Sequence, residues 1–147
     1  MNNVVYLDHF IQAHKAQFDH ALKEIQLGKK RTHWMWFIFP IAGGLGKSDM
    51  AQYYGIASAD EACAFISHPL LGSNYHKCIK AMLNNNDKTA VEVLGKRDVW
   101  KFQASITLFM NVTTDTGINV DLRNCLSSFY SGHPCKSTMA LLPLVPD

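Results

Sequence analysis

Helix start and stop signals succeed one another along most of this chain, and their spacing leaves room for little besides a helical fold. Between residues 7 and 27 the apolar positions Leu7, Phe10, Ile11, Phe18, Ala21, Leu22 and Ile25 recur at three- and four-residue spacing, with Gly28 where a helix C-cap belongs. Ser48 precedes Asp49-Met50-Ala51, and Ser58-x-x-Glu61 reads as a capping box that opens a helix over residues 59–67. Pro69 suits the first turn of the next helix, which buries Leu70, Leu71, Tyr75, Cys78, Ile79, Met82 and Leu83 and ends at Asn84-Asn85-Asn86. Asp87 then caps a short segment closed by Gly95, and Asp98 opens a helix through Phe102, Ile106, Phe109 and Met110. Residues 118–130 bury Val120, Leu122, Cys125, Leu126 and Phe129 before Gly132, and a short last helix covers residues 135–142. The predicted fold is all-α, a compact multi-helical single domain over residues 1–147. Residues 34–39 and 91–94 are too short for periodicity to decide; as strands they would give the alternative, a small α+β fold.

Composition excludes several function classes. A net charge of +2 is too small an electrostatic footprint for DNA or RNA, so no nucleic-acid partner is expected. Cys63, Cys78, Cys125 and Cys135 form no Cys-x-x-Cys pair, which reads as reduced thiols in a cytoplasmic protein, with neither a metal site nor a cofactor called for. The start Met1-Asn2-Asn3-Val4-Val5-Tyr6 lacks the basic and apolar regions of a signal peptide. The longest apolar stretch, residues 34–42, is broken by Pro40 and falls short of the ~20 residues of a membrane span, so no membrane partner is expected.

Chemistry concentrates in the run Thr32-His33-Trp34-Met35-Trp36-Phe37-Ile38-Phe39-Pro40, which follows Lys29-Lys30-Arg31 and leads into Gly43-Gly44-Leu45-Gly46-Lys47-Ser48. Thr32 is a candidate N-cap for the run. The glycines resemble a phosphate-binding P-loop, but that pattern needs glycine five places before Gly46, where Ile41 stands. Flexible glycines, Lys47 and a helix start at Ser48 can still hold an anion, beside the plainer reading of a tight turn. Lys29 and Lys30 have a ready explanation as cations at a helix C-terminus, whereas Arg31 adjoins His33 and the tryptophans, where a guanidinium binds phosphate and stacks on rings. His33, flanked by a cation and large aromatics, is the candidate general acid or base; the plain alternative is a capping histidine. Lys101 and Ser105 lie one helical turn apart and are the distant candidates to close the site, either as ligand contacts or as a solvated cation beside a helix hydroxyl. His9, His14 and His20 lack metal-ligand spacing, and His68 before Pro69 reads as a cap.

The string His33 to Pro40, the Gly44-Leu45-Gly46 turn with Ser48, Ala51, Tyr54 and Ile56, His68-Pro69-x-Leu71-Gly72, and Asp98-x-x-Lys101 with Ser105-x-Thr107-Leu108-Phe109 together resemble the bacterial domain-of-unknown-function family 1810. The resemblance covers nearly the whole chain and implies a single, mainly α-helical domain without an established activity. Some members carry the label calpastatin, yet inhibitors of that type are long, polar and disordered, whereas this composition is that of a compact core. The chain departs from the family pattern at Ile41, where a Gln usually follows the Pro, and at Cys135, where an Asp usually follows Gly-x-Pro.

The expected site is a pocket of Arg31, His33, Trp34, Trp36, Gly44, Gly46 and Ser48, closed by Lys101 and Ser105, for a small anionic, phosphorylated or nucleotide-like molecule. The competing expectation is a non-catalytic interaction module or homodimer in which the tryptophans are simply core.

Overall fold

The backbone groups left over at helix ends find partners where the sequence supplies them, and this sets the element boundaries. A computed structural model describes residues 6–142; the reading of residues 1–5 as no signal peptide lies outside them. Among the described residues the order is α1 (Asp8–Gln26), α2 (Met35–Ile38), α3 (Asp49–Tyr53), α4 (Ala59–Ser67), α5 (Pro69–Leu83), α6 (Ala90–Leu94), α7 (Val99–Met110), α8 (Thr116–Tyr130) and α9 (Lys136–Leu141). The fold is all-α. The α+β alternative fails because residues 34–39 and 91–94 contribute α2 and α6, and the extended pairing among the described residues is one isolated parallel bridge, Ala42 to Ile56.

Ser48 and Ser58 cap α3 and α4 as their positions predict, accepting the backbone N–H groups of Ala51 and Glu61 at 3.1 Å each. His68 caps α5: its Nδ1 accepts from the Leu70 and Leu71 N–H groups, and Pro69 occupies the first turn, where a missing N–H costs nothing. Three local expectations are corrected. The cap of α6 is Thr89, not Asp87, because Thr89 and Glu92 satisfy each other's backbone reciprocally in a capping box. Thr32 caps nothing; its hydroxyl is drawn to Glu24 instead. Val120 is 56 % exposed, since the buried face of α8 runs through Ile118, Leu122, Cys125 and Leu126.

Helix α5 lies at the centre, packed against α1, α4 and α8, while α7 packs on α8 and α9 and is buried continuously from Ala104 to Phe109. Rings interlock between these elements: Phe39 with Phe102 (centroids 4.6 Å apart), Tyr75 with Phe109 (4.8 Å) and Phe10 with Phe65 (5.0 Å). Burial of each such ring contributes roughly 1.5–3 kcal/mol. Gly72 permits the sharp junction of α4 with α5, for a Cβ there would stand 2.1 Å from the Ile66 carbonyl oxygen.

Polar groups that enter this core between α1, α2 and α5 are paired, whereas the buried Thr138 hydroxyl of α9 has no partner among the described residues. His14 on α1 donates from Nε2 to the Phe37 carbonyl (2.8 Å) and accepts the Asn74 amide at Nδ1 (3.1 Å), tying α1, α2 and α5 together. Burial pulls the His14 pKa down, outweighing the Phe37 bond, so the ring is held neutral.

Candidate functional site

The segment between α1 and α2 is organised by one carboxylate. Glu24, 5 % exposed, accepts at Oε1 from the Arg31 N–H (2.8 Å), the Thr32 N–H (3.1 Å) and the Trp34 indole N–H (2.8 Å), and at Oε2 from the Thr32 hydroxyl (2.8 Å). Burial alone would raise the Glu24 pKa, but these donors override it and hold the carboxyl down at about 2. Gly28, at φ +79°, lets the chain leave α1 toward this node. The Lys30 N–H then bonds the Val93 carbonyl of α6 at 2.7 Å, which turns Lys30 toward the start of α7.

There Lys30 meets Asp98. Lys30 Nζ stands 2.9 Å from Asp98 Oδ2 and Lys101 Nζ 3.2 Å from Oδ1, so two ammonium groups from distant parts of the chain share one carboxylate, one on each oxygen. Each lysine also lies over an indole: Lys30 is 5.3 Å from the Trp34 ring centroid, and Lys101 is 5.6 Å from that of Trp36. Side-chain exposures of 9 % for Lys30 and 10 % for Asp98 place the pair largely out of water, where charge interactions are strengthened. Above it opens a cleft of about 260 Å³ lined by Lys30, His33, Met35, Trp36, Arg97, Asp98 and Lys101. Three cations face one carboxylate across this cleft, which favours an anion.

An apolar crevice adjoins the cleft and shares Met35, Trp36 and Lys101 with it; Phe39, Ile41, Ala51 and Tyr54 complete its walls. Gly46 forms its roof so closely that a Cβ there would fall 2.5 Å from the Ala51 Cβ. The crevice measures about 20 Å³, room for one water or methyl group.

Of the residues singled out in the sequence, His33, Trp36, Gly46 and Lys101 come together at this cleft and crevice. Arg31 does not line it: its side chain is exposed, and its backbone N–H serves Glu24. Trp34 is fully buried and lies beneath Lys30 rather than facing a ligand. Gly44 turns the exposed loop at φ +94°, and Ser48 caps α3, so neither lines the walls. A helix as short as α3 also removes the long helix that a P-loop would need behind its glycines. Ser105 is fully buried and bonds the Tyr75 hydroxyl at 2.9 Å, while Lys101 is engaged by Asp98; the two form no Ser–Lys pair.

Lys30, Arg97 and Asp98 were missed as site residues. The Asp98-x-x-Lys101 spacing, one helical turn, carries part of the signal, but nothing local indicates that Lys30 joins them across 68 positions. A larger, open cleft of about 530 Å³ lies elsewhere, between the start of α5 and the loop before α8, with His76 at its edge 2.6 Å from Asp121. It contains none of the cations discussed above. Among the described residues no group of three or more His, Cys, Asp or Glu is placed to hold a metal ion, and no helix is long and apolar enough to cross a membrane.

Comparison with known proteins agrees with this fold. A conserved hypothetical protein from Mycobacterium tuberculosis, known from its crystal structure, is similar at 36 % sequence identity with a TM-score of 0.89, over 95 % of this chain and 97 % of that one. No curated protein matches the sequence. Residues 4–142 match a family described as protein of unknown function, DUF1810. Given that match over almost the whole chain, the protein belongs to the DUF1810 family.

Proposed function

We propose that the protein binds a small anionic, partly aromatic ligand, phosphorylated or nucleotide-like, in the cleft between Trp36 and the start of α7. The observation that carries this reading is the pair of lysines, Lys30 and Lys101, held ready on the two oxygens of Asp98 beneath an open face that also presents Arg97. Such positions cost little reorganisation when an anion arrives, because Asp98 and the two indoles already hold both chains in place. Trp36, half-buried at the wall, offers a ring for stacking, and His33 at the rim is the group that would exchange a proton if the ligand is also processed. The four cysteines, all unpaired, support a reducing cytoplasmic setting.

The test is titration of the protein with a nucleotide panel, followed by tryptophan fluorescence. Saturable quenching that is weakened by Lys101→Gln or Arg97→Gln supports the reading. No saturable response from any member of the panel, with no anionic molecule co-purifying by mass spectrometry, overturns it.

A further inference from the structure

Resting on the anion-binding reading, we infer that the cleft selects a terminal phosphate monoester in its dianionic form over singly charged anions such as phosphodiesters and carboxylates. Charge is the first argument. Lys30, Lys101 and Arg97 face the cleft with Asp98 as the one carboxylate in its lining, so two positive charges remain uncompensated. A dianion neutralises both; a phosphodiester or carboxylate leaves one cation unmatched in a partly dry site.

Donor geometry is the second argument. Each lysine spends one ammonium hydrogen on Asp98 and keeps two, and Arg97 offers the parallel N–H pair that fits two oxygens of one phosphate. A terminal phosphate has three equivalent oxygens to receive these groups, whereas a carboxylate has two and an esterified phosphate has lost one. Size is the third argument. The cleft, about 260 Å³, lies just below the ~300–1,000 Å³ of sites that enclose drug-sized molecules. The adjoining crevice adds room for one methyl group at most, so the ligand's phosphate and one ring fit while any remainder stays outside.

The experiment compares phenyl phosphate with phenyl methyl phosphate and benzoate by isothermal titration calorimetry at pH 7.5, where phenyl phosphate is mostly doubly charged. Phenyl phosphate is expected to bind at least tenfold tighter than either singly charged probe, a difference of about 1.4 kcal/mol. Lys101→Gln and Arg97→Gln should each bring phenyl phosphate close to the affinity of its methyl ester. Arg97 is exposed, so its variant tests the inference even where the variant at the partly buried Lys101 melts early. Affinities within threefold of one another, or a preference unchanged in the Arg97 variant, overturn the selectivity and leave the anion-binding reading standing. Absence of binding by all three probes, together with no response in the nucleotide panel, removes both.

Discussion

Glu24 accepts the Trp34 indole N–H at 2.8 Å inside the core, and this bond sets the path of the chain that carries Lys30, His33 and Trp36 to the cleft. The same carboxylate takes two backbone N–H groups and the Thr32 hydroxyl. Replacing it with alanine orphans all of these donors at once. Glu24→Ala is therefore expected to cost about 3 kcal/mol or more, and Glu24→Gln less, because one acceptor oxygen survives. Urea denaturation followed by circular dichroism measures both; equal, small losses would mean that solvent replaces the carboxylate.

Acid should expose the same dependence. Because folding depresses the Glu24 pKa from 4.5 to about 2, its contribution is complete above pH 4.5 and lost as pH falls toward 2, roughly 3 kcal/mol in all. His14, also lowered from its usual 6.5, adds an earlier decline that begins below that pH as the unfolded chain gains a proton the buried ring resists. Thermal melts from pH 8 to pH 2 should show both limbs, and Glu24→Gln should make the lower one shallower, leaving the share of Glu92 and Asp121, whose carboxyls are also held below their ordinary range.

The Tyr75 and Ser105 hydroxyls, both fully buried, form a closed pair. Tyr75→Phe and Ser105→Ala each leave the other hydroxyl without this partner and should cost about 1–2 kcal/mol. The double variant should cost less than the sum, with a coupling of about 1 kcal/mol in a double-mutant cycle. Additive losses would place the hydrogen bond outside the energetics of the core.

Gly72→Ala tests the α4–α5 junction. Its new Cβ would meet the Ile66 carbonyl oxygen at 2.1 Å, a backbone atom that cannot swing aside, so about 3 kcal/mol is expected to be lost as a helix shifts. A melting temperature unchanged within a degree would show that the junction yields freely.

Arg31 and Arg97 separate the local reading of the basic run from the tertiary one. Arg97→Ala should weaken anion binding about fivefold or more, while Arg31→Ala, with its exposed side chain away from the cleft, should change affinity less than twofold. The reverse order, measured by calorimetry, would return the site to the Arg31 side.

The helical class of this protein was legible in its residues because caps, prolines and three-to-four spacing act within a turn or two of the chain. Pro69 after His68, Ser58 before Glu61 and the apolar stripe of α1 each determine structure locally, and each appears where expected. The site was only half legible. Residues 33–40 signalled a place, but whether an aromatic or a cation in that run faces ligand or core depends on partners far along the chain. Glu24 draws Trp34 inward, and Val93 turns Lys30 rather than Arg31 toward Asp98. Tyr75 claims Ser105. Such choices follow from which buried polar groups must be paired once the helices have packed, a condition that exists only in the assembled core.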